Sequence, residues 1–100
     1  MRVISLKLLK EFWDRHPDAQ AALRAWYATA LSAQWASLQD VRRTLRSADG
    51  VRTGNDEILT VFNICGNKYR LIVRIRYEYW LVNVRAVLTH PEYDRGNWRE

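Results

Sequence analysis

Cysteine occurs once in these 100 residues, at Cys65, and histidine only at His16 and His90. A lone thiol excludes an internal disulfide, and three such side chains cannot assemble a zinc-type cluster of Cys and His. That usage fits a reducing cytoplasm. Also missing is any run of 18 consecutive apolar residues, and the opening stretch "MRVISLKLLKEFWDR" breaks its apolar residues with lysines and acids and offers no small-residue cleavage site. Neither secretion nor a membrane span is expected, and no internal repeat or low-complexity run is visible.

What is present is ordinary globular composition, 48% hydrophobic and 27% charged, on a length that suits one domain over residues 1–100 with one two-layer core. Sixteen Lys and Arg against eleven Asp and Glu leave a formal net charge of +5. An excess of that size on a small body favours a polyanionic partner: nucleic acid, an anionic membrane or an acidic protein.

Hydrophobic period divides the chain in two. Met1 to Ile4 reads as a short edge strand, followed by Ser5 as a helix N-cap and by Leu8, Leu9, Phe12 and Trp13 at helical spacing. His16-Pro17 ends that helix and opens a second, on which Ala19, Ala22, Leu23, Trp26, Tyr27 and Ala30 recur on one face. A third, shorter helix is expected from Ser37 to Arg46, with Ser37 and Asp40 resembling a capping box and Arg42, Arg43 and Arg46 left in solvent. Residues 47–57, "SADGVRTGNDE", have turn residues without apolar period and read as the longest loop. Beyond it the period becomes two. Ile58–Ile64, Lys68–Tyr77 and Trp80–Leu88 predict an antiparallel meander of three strands, and helices first with strands second predict an α+β domain.

The middle strand carries its apolar residues, Tyr69, Leu71, Val73, Ile75 and Tyr77, on odd positions. Lys68, Arg70, Ile72, Arg74 and Arg76 fall on even ones. Matching apolar faces requires even-length loops, which set Asn63 opposite Arg70, Phe62 opposite Leu71, Arg74 opposite Asn83 and Ile72 opposite Arg85. Trp80 takes core parity. Asn63, Arg70 and Arg85 are then expected on one exposed patch, with Lys68 at its rim and Arg74 further along. A solvated strand face would look the same. Several like charges without interleaved Asp or Glu, however, repel one another and suggest an anion that compensates them. After the last strand, "THPEYD" adds His90, the one side chain there that titrates near neutrality, with Tyr93 and Asp94; each can serve chemistry or close a local structure.

Three blocks, "RVIS…L…FW..HPDA…LRAWY", "VFNICGNKYRLIVRIRY" and "VNVRAVLTHPEYD", cover almost the whole chain. In them the sequence resembles the HigB family of toxins from bacterial type II toxin–antitoxin modules, a branch of the RelE-like mRNA interferases. The resemblance implies a RelE-like α+β fold, two to three N-terminal helices packed on a curved antiparallel sheet. It implies a toxin that cleaves mRNA, often on the ribosome, in the cytoplasm, held inactive by a HigA-type antitoxin with a helix-turn-helix domain. By position, Lys68, Arg70, Arg85, His90 and Tyr93 match the superfamily's active-site groups, and Asn63, Asn67, Arg74 and Arg76 are candidates for holding RNA.

RNA brings its own nucleophile, the 2′-OH. A nuclease without metal or other cofactor therefore needs a base, cations for the phosphorane and an acid for the departing 5′ oxygen. Arg70 and Arg85 suit phosphate clamping, while His90 or Lys68 would move protons, Lys68 only if its neighbours lower its pKa, and Tyr93 could stack on a base or share the proton work. A non-catalytic RNA- or ribosome-binding module would use the same arginines without cutting, and an adaptor for an acidic protein would ignore RNA.

Overall fold

The computed structural model describes every residue from Met1 to Glu100. Strand β1 (Arg2–Ile4) leads into helix α1 (Lys7–Arg15), which stops at His16 because the residue before a proline is pushed out of helical backbone. Pro17–Ala19 form a single 3-10 turn that opens α2 (Gln20–Ser32). Helix α3 (Leu38–Thr44) starts where the sequence places a cap, with the Ser37 hydroxyl accepting from the Asp40 amide at 3.4 Å. Ser5, by contrast, does not cap α1. Its backbone is left-handed, with φ at 69°, and its hydroxyl donates to Asn83 Oδ1 at 3.1 Å, which ties the first turn to the last strand.

The apolar stripes of the helices bury Leu9, Phe12, Leu23, Trp26, Ala30 and Val41 against Phe62, Leu71, Val73, Val82 and Val84 of the sheet. Each fully buried side chain of this size contributes about 1.5–3 kcal/mol by leaving water. Trp26 meets Phe62 edge to face with 5.6 Å between ring centres, so α2 is fixed in position along the sheet.

The sheet has five strands in the order β1-β5-β4-β3-β2. Strands β3 (Ile58–Ile64), β4 (Tyr69–Arg76) and β5 (Leu81–Thr89) form the expected meander. Two features depart from the sequence reading. Residues 47–57 are not all loop, because Asp49–Arg52 pair antiparallel with β3 as an edge strand, β2. At the opposite edge β1 is the short edge strand expected at Met1–Ile4, but it pairs parallel with β5 in a sheet expected to be antiparallel. β2, Asp-Gly-Val-Arg, is too short and too polar to show a period of its own.

Register follows the pairing of apolar faces at Asn63 with Arg70, Phe62 with Leu71 and Arg74 with Asn83. It then slips. Ile72 lies opposite Ala86 rather than Arg85, because a bulge between Ile72 and Val73 leaves Arg85 without a partner. Arg85 and Ala86 consequently share the face away from the helices, and Val87 rather than Leu88 returns to the main core. The physical cause lies on that second face, which has its own apolar cluster. Leu59, Val61 and Ile72 are buried there beneath Ala86, Leu88, Tyr93 and Trp98.

Helix α4 (His90–Arg95) and the turn Asn97–Arg99 run back across this cluster, and the Gly54 amide donates to the Arg99 carbonyl at 2.8 Å. The second face is therefore apolar in the middle and cationic at its two ends, where alternation alone suggested one continuous basic surface. The β4–β5 connection, Tyr77–Trp80, preserves parity as any even loop does. It nevertheless leaves Trp80 half exposed in left-handed backbone, not in the core.

Candidate functional site

At one end of the second face the β3–β4 hairpin turns through left-handed backbone at Cys65 and Gly66, φ 53° and 66°. This tight reversal brings Asn67 back over β3, where its side-chain oxygen accepts from Asn63 Nδ2 at 3.1 Å. The Arg70 guanidinium folds into the same corner. Its Nη1 donates to the carbonyls of Asn67 at 3.0 Å and Tyr69 at 3.2 Å, and its charge sits 5.3 Å from the centre of the Tyr93 ring. No carboxylate pairs with it. Tyr93 is itself stacked on Trp98, 5.0 Å between centres, and the indole N–H donates to the Tyr93 carbonyl.

Tyr93 is aimed by α4, an element the sequence reading did not anticipate. Thr89 and Glu92 form a full capping box: the Thr89 hydroxyl accepts from the Glu92 amide, and Glu92 Oε1 accepts from the Thr89 amide at 2.9 Å. These bonds from Thr89 hold the Glu92 carboxyl below its usual range. Because Thr89 pairs with Tyr69 across the sheet, the helix starts beside the hairpin end, and His90 and Tyr93 at i and i+3 share one side of it. His90 Nδ1 lies 2.9 Å from Asp94 Oδ2 one turn on. Asn63, Asn67, Arg70 and Tyr93 thus form one chain of contacts, and His90 lies on the same helix as Tyr93, paired with Asp94.

Lys68 turns the other way. Its ammonium pairs with Asp18 on the 3-10 turn before α2, while the Tyr69 hydroxyl donates to the second oxygen of that carboxylate at 2.8 Å. Hydrogen bonds from Lys68, then Tyr69, hold Asp18 below the usual carboxylate range, and Asp18 in turn raises both Lys68 and Tyr69. A lysine base needs a lowered pKa, so the expectation that neighbouring arginines would supply one is corrected: the group that dominates its surroundings is an anion. Fifty residues separate Asp18 from Lys68, and nothing local in "HPDA" signals the pairing.

At the far end of the face Arg74 and Arg85 both donate to one oxygen of Glu57, at 2.7 Å and 3.0 Å. Glu57 is largely buried, its side chain 13% exposed, and Arg85 foremost holds its carboxyl below the usual range. This overturns the expectation of a cationic cluster without an interleaved acid. It also separates Arg85 from Arg70, whose strand neighbour is Leu88. Arg74 is four residues from Arg70 on β4, about 13 Å by strand rise, and Arg76 lies further out and exposed. Glu57 and Asp18 are the residues around these side chains that sequence reasoning missed. Each belongs to a loop or a short turn, where no periodicity indicates what the side chain faces.

No three His, Cys, Asp or Glu side chains gather as a metal site needs, and no helix is long and apolar enough to cross a membrane. Among known proteins, the chain is 27% identical over 94 residues to the mRNA interferase toxin HigB of Escherichia coli (strain K12), a match spanning 94% of this chain and 88% of that protein. The mRNA interferase HigB proteins of Escherichia coli O157:H7 and Shigella flexneri match to the same extent. The family model for HigB toxins, the RelE-like toxic component of a toxin–antitoxin system, matches residues 19–96. An α+β fold of four helices on a largely antiparallel five-stranded sheet accords with that match, and the chain belongs to the HigB toxin family.

Proposed function

We propose that this chain cleaves messenger RNA by a metal-independent attack of a ribose 2′-OH on the adjacent phosphate, with the hairpin end of the second face as the reacting centre. The observation that carries this reading is Arg70, a guanidinium steered by two backbone carbonyls and the Tyr93 ring and matched by no carboxylate. Such a group supports an approaching phosphate without first breaking an ion pair. His90, oriented by Asp94 as a carboxylate orients a catalytic imidazole, takes the 2′-OH proton as that oxygen bonds to phosphorus and returns it to the 5′ oxygen as the P–O5′ bond breaks. Tyr93 and the Trp98 beneath it supply a ring on which a base can stack. Asn63 and Asn67 donate and accept at the edge of the same corner, and Lys68, fully charged beside Asp18, adds field rather than proton transfer.

Arg85, Arg74 and Arg76 continue the path for the RNA backbone. The relatives' shared description as mRNA interferases supports the substrate class. A helix-turn-helix antitoxin of HigA type, and action on ribosome-bound mRNA in the cytoplasm, complete the proposal.

One observation favours a second centre. A largely buried carboxylate between two guanidiniums, Glu57 with Arg74 and Arg85, is also a base beside phosphate clamps, and a phosphate that drew the arginines away would return Glu57 toward ordinary basicity. Mapping transcript 5′ ends after brief induction separates the two. Arg70→Ala and His90→Ala are expected to lower new ends on the order of a hundredfold or more, the loss typical of one charge-stabilising group, while Glu57→Gln retains them. The reverse pattern moves the chemistry to Glu57. Transcripts left intact by the unaltered protein, with RNA still bound, make it a binder and not a nuclease.

A further inference from the structure

The β4–β5 connection places two aromatic rings in water, Tyr79 at 68% exposure and Trp80 at 50%. Neither packing nor turn chemistry asks for them. Trp80 occupies left-handed backbone, φ 54°, where glycine or asparagine is the unstrained choice, and it contributes nothing to either apolar cluster. Beside this tip the register sets Arg2, Leu81 and Arg76 in one row across three adjacent strands. Directly paired residues point to the same side, so both arginines stand on the second face, one on each flank of Leu81, roughly 10 Å apart by strand spacing. Each is exposed and has no carboxylate partner, unlike Arg74 and Arg85 in the next rows. Arg76 is six residues from Arg70 along β4, roughly 20 Å.

We propose that the Tyr79–Trp80 tip, with Arg2 and Arg76 beside it, is a second RNA contact that stacks an unpaired base and holds the neighbouring phosphate several nucleotides from the reacting centre. Exposed flat rings next to unpaired guanidiniums are what sequence-tolerant binding of a single strand requires: a π-face for any base and positive charge for the backbone. An acidic protein would use the arginines but has no need of two solvated rings, one of them held out by left-handed backbone. The choice of RNA as ligand rests on the cleavage reading above, whereas the contact itself needs no chemistry.

The test uses a short single-stranded oligoribonucleotide methylated at every 2′ oxygen, which has no nucleophile and can be bound but not cut. Trp80→Ala and Tyr79→Ala are each expected to weaken its binding roughly tenfold, the order for one stacked base, with melting temperature unchanged. Arg2→Ala and Arg76→Ala are expected to flatten the slope of log affinity against log salt by about 0.7 each. Unchanged affinity in both ring variants, leaving those rings for a protein partner, overturns the proposal; so does an unaltered protein that fails to bind the methylated strand. If the ring variants weaken binding to the methylated strand while expression of the unaltered protein leaves cellular transcripts intact, the cleavage reading falls and this contact stands.

Discussion

Arg85 donates to Glu57 at 3.0 Å from a bulge that gives it no partner on β4. The contact neutralises a cation that strand alternation assigned to an open basic patch, and with Arg74 on the same oxygen it closes one end of the sheet's second face.

This pairing makes stability depend on acid pH. The folded carboxyl of Glu57 lies below its ordinary value, chiefly through Arg85. Its contribution is therefore fully present above the unfolded value, about 4.3, and is lost as pH falls through the folded one. Thermal melts across that window should show the native protein losing more stability on acidification than Glu57→Gln. Parallel curves for the two would mean that the ion pair contributes nothing measurable, its attraction cancelled by the cost of taking Glu57 out of water.

At the other end, Asp18 raises Tyr69 and Lys68. A raised folded pKa contributes stability that is present below the unfolded value, near 10 for both groups, and lost as pH rises through the folded one. Asp18→Asn should shift one tyrosine ionisation to lower pH in an ultraviolet absorbance titration and bring alkaline unfolding forward. An unchanged titration would show that burial, and not the carboxylate, sets the Tyr69 value.

The two apolar clusters should differ in weight. Leu71 is fully buried between the helices and the sheet, so Leu71→Ala is expected to cost about 2–5 kcal/mol in denaturant unfolding. Trp98 only half covers the smaller cluster, and Trp98→Ala should cost about 1–2 kcal/mol. Equal losses would indicate that the tail is as much a part of the core as the central strand.

The amino-acid sequence alone determined whatever depends on local period. The apolar spacing of α1 and α2, the cap at Ser37, the alternation of β3 and β4 and the pairings of Asn63 with Arg70 and Arg74 with Asn83 follow from burying one face of each element. Asn63 and Arg70 were legible as candidates for the same reason, since a hairpin of known parity sets them opposite one another, whereas His90 and Tyr93 drew their candidacy from the family resemblance. Tertiary structure decided what each charge faces. Glu57 and Asp18 sit in a loop and in a short turn, and a charge is satisfied by whichever group the chain's long-range folding delivers, 17, 28 or 50 residues away. The bulge at Arg85 and the tail across Leu59, Val61 and Ile72 were likewise settled by packing, because "RAVL" suits either parity until the second cluster selects one.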